Sequence, residues 1–147
     1  MRQFAVMATL QVVRRLLLAI LVIGLTGTAV ELLLLDHVED TIQLVPLAAI
    51  ALGLAALGWH GFRASRFSLL AVQVLMGLFL AAGLAGIFYH VRANLEFQRE
   101  FDPSLKGRAL LWQALHSKVP PALAPAVLVQ FALIGLAYTY RQRGELT

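Results

Sequence analysis

The chain reads as an all-α integral membrane protein: an antiparallel four-helix bundle with a short helical cap outside the membrane between its third and fourth helices. Three observations point there. Hydrophobic residues fill 60% of the 147 positions and charged residues only 14%, where a soluble domain carries about 25% charged. The apolar residues fall in four blocks, each near the ~20 residues that cross ~30 Å of hydrocarbon. The basic residues collect at the ends of those blocks. Backbone groups in lipid must be satisfied within their own segment, so the blocks are helices. One membrane domain, 1–147, is expected, with spans near 14–35, 43–62, 67–91 and 121–140 and an outer cap over 92–120.

The first block, Leu16 to Leu35, holds Glu31 as its only charge. The residues before Leu16 extend this helix or lie on the surface. A signal peptide is the competing reading, with Arg14 and Arg15 as its charged region. An uninterrupted apolar run of this length exceeds the roughly 7–15 residues of a signal peptide, so it reads as a retained span. The second block follows a tight turn in which Asp36 or Asp40 can cap the helix, and Pro46 falls near its first turn. Asp36 and Glu39 have capping-box spacing. The short bend Gly61 to Arg66 makes the second and third spans antiparallel neighbours.

The third helix is expected to continue past the membrane to about Glu100, where Asp102-Pro103 breaks it. Ser104 is the expected cap of a short helix, Leu105 to Ser117. Pro120, Pro121 and Pro125 mark the start of the last span, because proline is cheap only in a first helical turn. So long a link in so small a chain reads as a functional segment or a docking surface. One echo is visible: Gly53-Leu-Ala-Ala-Leu-Gly-Trp-His60 resembles Gly83-Leu-Ala-Gly-Ile-Phe-Tyr-His90. A single short match is weak grounds for a repeat.

Basic residues set the orientation. Arg2, Arg14, Arg15, Arg63, Arg66, Arg141 and Arg143 fall on one side, with Glu145 the only acid there. The other side mixes five basic residues with seven acids. Both termini are therefore expected in the cytoplasm, with the protein multi-pass in the plasma membrane. Trp59, Tyr138 and Tyr140 fit an inner aromatic belt, Tyr89 and Trp112 an outer one.

Charge and composition exclude much. The net charge of +4 does not indicate nucleic acid, because the cations form no stripe with aromatics. Zero cysteine removes disulfides, thiolate metal sites and thiol catalysis. There is no phosphate-binding glycine loop, Gly-x-Ser-x-Gly or His-Glu-x-x-His. Ser68, Ser104 and Ser117 have no base at a motif-like spacing. No catalytic set is complete.

The remaining candidates are Glu31 and the histidines. Ile20, Gly24, Gly27, Thr28 and Glu31 share one helical face, whose small residues admit a second helix closely. Glu31 is expected to point into that seam, since a lipid-facing carboxylate costs roughly 2.5–3.5 kcal/mol. Arg92 is a possible counter-ion. Gly83, Gly86, His90, Asn94 and Phe97 form a second such face. Glu31, His90, Asn94 and Arg92 make up a polar seam. Glu31, His37, His90 and His116 are the candidate metal ligands, because three imidazoles and a carboxylate suffice for zinc, copper or non-haem iron. No spacing matches a ligand motif, and His37 and Asp40 lie roughly opposite Glu31 unless the helix ends by Leu35. The cytoplasmic side offers only His60, so a haem has room only in the outer layer.

The leading expectation is a non-enzymatic membrane subunit or scaffold, its partners being the bilayer and other membrane chains or further copies of itself. No cofactor is required. The alternatives are an outer metal, haem, quinone or proton site built on Glu31 and His90, and a small transporter acting as an oligomer.

Overall fold

The computed structural model describes residues 2–36, 41–118 and 121–142, with side-chain surroundings from Val6 onward. Among them all regular structure is helical. In chain order come α1 (Arg2–Leu34), a 3-10 turn (Thr41–Gln43), α2 (Leu44–Phe62), α3 (Arg66–Phe101), α4 (Gly107–Leu115) and α5 (Ala126–Thr139). Three helices among the described residues are long and apolar enough to cross a membrane: Val6–Leu34, Thr41–Phe62 and Arg66–Phe101. The fourth apolar helix, α5, has 14 residues, which is about 21 Å of rise.

The helix ends follow from local chemistry. The segment before Leu16 does extend α1. At the other end Asp36 takes a left-handed backbone, φ 51°, and its N–H bonds to Leu33 O at 3.2 Å. It therefore terminates α1 and does not cap α2, contrary to expectation. Asp40, the other expected cap, and Glu39 lie outside the described residues. The residue before α2 is Gln43, which makes no side-chain cap. Pro46 sits in the first turn, where its missing N–H costs nothing.

Ser65 precedes α3 and shares a reciprocal pair with Ser68. Ser68 N–H donates to Ser65 Oγ (3.1 Å) and Ser65 N–H donates to Ser68 Oγ (3.0 Å). That is a capping box with serine in place of the usual glutamate. α3 then runs 36 residues, about 54 Å, and stops where Asp102-Pro103 was expected to stop it.

Ser104 does not cap α4. Its N–H and hydroxyl both turn back to Asp102 Oδ1, at 2.9 and 2.6 Å, so the serine closes an Asx-type turn instead. The residue before the helix is Lys106, which provides no side-chain cap. Gly107 opens α4 at φ 57°, a backbone that costs glycine nothing.

α5 begins five residues later than the expected boundary of 121. Pro121 and Pro125 have no N–H to give, so the chain coils through i to i+3 bonds first: Ala124 to Pro121 O and Ala126 to Leu123 O.

The chain divides into two compact units, Met1–Phe79 with Phe131–Thr147, and Leu80–Gln130. In the first, the large fully buried apolar side chains are Leu21 and Leu25 of α1, Ile50 of α2, and Leu69, Val72, Met76 and Phe79 of α3. Gly53 lets α2 approach closely: a Cβ there would stand 2.8 Å from the Phe79 ring. In the second unit α3 receives the segment leading into α5. A Cβ on Gly83 would stand 3.0 Å from Val129 N and 3.1 Å from Pro125 O, and one on Gly86 would stand 2.7 Å from Pro125 Cβ. Two turns on, α4 buries Leu110 and Ala114, and Asn94 on α3 donates to Ala114 O at 3.1 Å.

Candidate functional site

The polar neighbourhood best defined by geometry lies in the first unit, around His60. His60 occupies the last turn of α2 and is 4% exposed. Its Nδ1 lies 2.8 Å from Ser68 Oγ in the first turn of α3. Its Nε2 lies 2.9 Å from Gln142 Oε1, just beyond α5. The Gln142 amide N–H donates back to Tyr138 O at 2.6 Å, which turns Oε1 toward the imidazole. The Tyr138 ring meets the imidazole edge-on, centroids 6.3 Å apart. Tyr138 is buried, so it belongs to this cluster and not to an aromatic belt.

Proton counting orders the cluster. An amide oxygen only accepts, so His60 Nε2 carries a hydrogen. In neutral imidazole Nδ1 then accepts, and the Ser68 hydroxyl must donate to it. Ser68 Oγ also sits 2.9 Å from Arg63 O and 3.1 Å from Ser65 O. One hydroxyl hydrogen thus has three acceptors within reach, while Ser65 N–H and Oγ–H approach the same oxygen as donors. Among the described residues no buried side-chain polar atom is left without a partner.

Serine, imidazole and amide in contact resemble a nucleophile, its base and an orienting group. A base for Ser68 does therefore exist, eight residues upstream. Access decides against nucleophilic chemistry: Ser68 is 0% exposed, so its oxygen can meet no substrate. The cluster instead ties together the end of α2, the start of α3 and the end of α5. A second strap lies near it, where the Arg14 guanidinium on α1 donates to Tyr140 O at 3.1 Å, a favourable charge at a helix C-terminus.

The chain matches no family model, no curated protein and no solved structure. Its chemistry has to be read from its own side chains.

Of the residues singled out from sequence, Glu31 belongs to the first unit. It is exposed, and among the described residues its carboxylate meets no partner. The packed stripe of α1 runs through Leu21, Leu25, Thr28 and Leu32. At 100° per residue Glu31 lies about 90° from the middle of that stripe. Gly24 meets the Phe131 ring, but a Cβ on Gly27 would touch nothing within 4 Å. The expected seam is therefore rotated by about a quarter turn, and Glu31 faces outward from the chain. α1 does end before Leu35, as convergence of the acidic stretch would require, but His37 and Asp40 lie outside the described residues.

His90, Asn94 and Arg92 belong to the second unit. His90 Nδ1 donates to Pro121 O at 2.9 Å. The carbonyl can only accept, so in neutral His90 the free lone pair is on Nε2. His116 is held alike, its Nδ1 donating to Trp112 O at 2.9 Å. Asn94 is buried against α4, and Phe97 is exposed. Arg92 is occupied by Glu96, at 2.8 Å one turn along α3. Among the described residues no three histidine, aspartate or glutamate side chains gather to hold a metal.

The His60 cluster could not be found by motif, because its members stand 8 and 82 residues apart. One local signal was present: Ser65-x-x-Ser68 is a capping pair at the expected bend.

Proposed function

We propose that this protein is a small four-span scaffold of a membrane complex, with both termini in the cytoplasm, that docks a partner chain along the exposed face of α1. The observation that carries this reading is Glu31. It is an exposed carboxylate on a helix whose neighbouring side chains Val30, Leu33 and Leu34 are also exposed. Lipid gives such an acid no partner, and a second helix bearing a hydrogen-bond donor or cation does. Gly27, one turn before it, leaves open space for that helix to approach. The best-defined polar cluster among the described residues, around His60, is buried.

Four spans require α5 to cross together with the coiled segment from Pro121, and the arginine asymmetry sets the orientation. The test is purification of the untagged protein in mild detergent. The protein should run as part of a larger assembly, which Glu31→Gln and Gly27→Leu weaken without unfolding the chain. A lone monomer, unchanged by either substitution, overturns the reading.

A second reading keeps a metal on the outer side. It is favoured by His90 and His116, each fixed through Nδ1 to a carbonyl so that Nε2 is presented, as second-shell carbonyls do for metal-ligating histidines. Retained metal lost in His90→Ala and in His116→Ala supports this reading. Metal-free protein with unchanged assembly removes it.

A further inference from the structure

We infer that α4 is an anionic-lipid docking element, resting its outward face Arg108, Leu111, Trp112 and Leu115 in the headgroup layer of the membrane. The inference rests on reading α3 as a helix that crosses the bilayer.

α4 has two apolar faces. Leu110 and Ala114 are buried, as spacing i to i+4 requires of a packed stripe. Arg108, Leu111, Trp112 and Leu115 follow the i, i+3, i+4, i+7 pattern of a single face and are all exposed. Trp112 is 63% exposed. Its indole lies against the His116 ring, 4.0 Å between centroids and tilted by 37°, and the same imidazole is bonded to Trp112 O. The large apolar ring is thus held outward.

Height on α3 identifies what covers that face. The apolar run of α3 closes at Tyr89 and His90. Beyond it come Arg92, Glu96, Arg99 and Glu100, side chains that belong outside hydrocarbon. Asn94 is four residues past His90, about 6 Å along the axis. Its bond to Ala114 O therefore holds the C-terminal turn of α4, with Trp112 and Leu115, about 6 Å beyond the hydrocarbon edge. That is the depth of the headgroup layer, where tryptophan prefers to sit.

Charge identifies the lipid. From Pro103 to Lys118 the chain carries Lys106, Arg108 and Lys118 and no acid. The acid that precedes this stretch in the sequence, Asp102, is engaged by Ser104. Basic residues flanking a tryptophan and leucine face match an anionic surface. Each such residue contributes a factor of about five in binding.

The test uses the full-length protein carrying Trp59→Phe, so that Trp112 is the only indole. It is reconstituted in phosphatidylcholine vesicles with and without phosphatidylglycerol. With the anionic lipid, Trp112 emission should shift to the blue, be quenched by lipid brominated near the headgroup, and lose most of its quenching by aqueous acrylamide. Replacing Lys106, Arg108 and Lys118 by glutamate should abolish these changes. Equal lipid quenching without anionic lipid, or acrylamide quenching unchanged in both vesicles, overturns the inference. A signal that follows the protein-to-lipid ratio would mean that a second copy covers α4, which also overturns it. Alkaline carbonate treatment of the same vesicles separates the two readings. Retained protein with a water-exposed Trp112 defeats the docking element alone, whereas released protein defeats the spanning α3 and the inference with it.

Discussion

His60 and His90 end two similar octapeptides, which share Gly, Leu, Ala and the closing His, and their surroundings differ. In each copy the opening glycine marks a close approach, of Gly53 to the Phe79 ring and of Gly83 to the Pro125–Val129 backbone. In each the histidine stands seven residues on, at the end of the apolar stretch. His60 is buried and held through both nitrogens by side chains. His90 is half-buried and held through one, by a backbone carbonyl. The octapeptide sets where the imidazole stands. What the neighbouring segment offers sets whether it is locked or left with a nitrogen to use.

Substitutions break that comparison at points of unequal cost. His60→Ala removes two hydrogen bonds at once and leaves the buried Gln142 carbonyl oxygen short of a partner, while the Ser68 hydroxyl turns to Arg63 O or Ser65 O. At ~1–3 kcal/mol for the orphaned oxygen and ~0.5–1.5 kcal/mol for the second bond, the loss should reach about 2–4 kcal/mol, read as an earlier midpoint in denaturant titration of the detergent-solubilised protein. Next comes Gly83→Val, expected to cost about 1–3 kcal/mol by overpacking. Its new atoms meet the Val129 side chain first and then the backbone at Val129 N and Pro125 O, which cannot turn aside, so it should exceed Gly53→Ala, whose obstacle is an aromatic side chain. Midpoints in the opposite order would show that the Pro125 segment yields more readily than Phe79.

His90→Ala should cost less, about 0.5–1.5 kcal/mol, because it gives up one hydrogen bond at a partly exposed site. A loss as large as that of His60→Ala would mean that the two sites are equally locked, and the contrast would fail. The smallest effect is expected at the turn after α3. The Asp102 carboxyl is held below its ordinary value of 3.8 by the Ser104 hydroxyl and then by the Ser104 N–H. The folded state therefore favours the carboxylate. That contribution is present above the ordinary value and is lost as pH falls through the lower folded one. Amide exchange at Ser104 and Leu105 should accelerate only below about pH 4, and Ser104→Ala should make it fast at neutral pH.

Much of the helical framework is legible in the sequence, because hydropathy and proline act locally. α2 and the stop of α3 fall where apolar runs and Asp102-Pro103 place them. The start of α5 was misplaced because Pro121 and Pro125 fit a first helical turn and a coiled turn equally well. The candidate sites were less legible. Gly24 and Gly27 look alike in the sequence, yet one meets Phe131 and the other meets nothing, so the face of Glu31 was drawn a quarter turn away. Tyr138 looked like a belt residue until Gln142 and His60 closed over it. Those contacts depend on segments far apart in the chain, and no periodicity encodes them.

The shortness of α5 has a consequence for the surrounding lipid. α2 rises about 28 Å over its 19 residues, α5 about 21 Å. Under the four-span reading, either the leaflets pinch inward beside α5 or the coil ahead of it enters the acyl region. The coil is partly equipped for that: Ala124 gives its N–H to Pro121 O, and the carbonyls of Leu123, Ala124 and Pro125 accept from the first residues of α5. Thin membranes would then accommodate this protein at less elastic cost than thick ones, and bilayer thickness would bias where it accumulates.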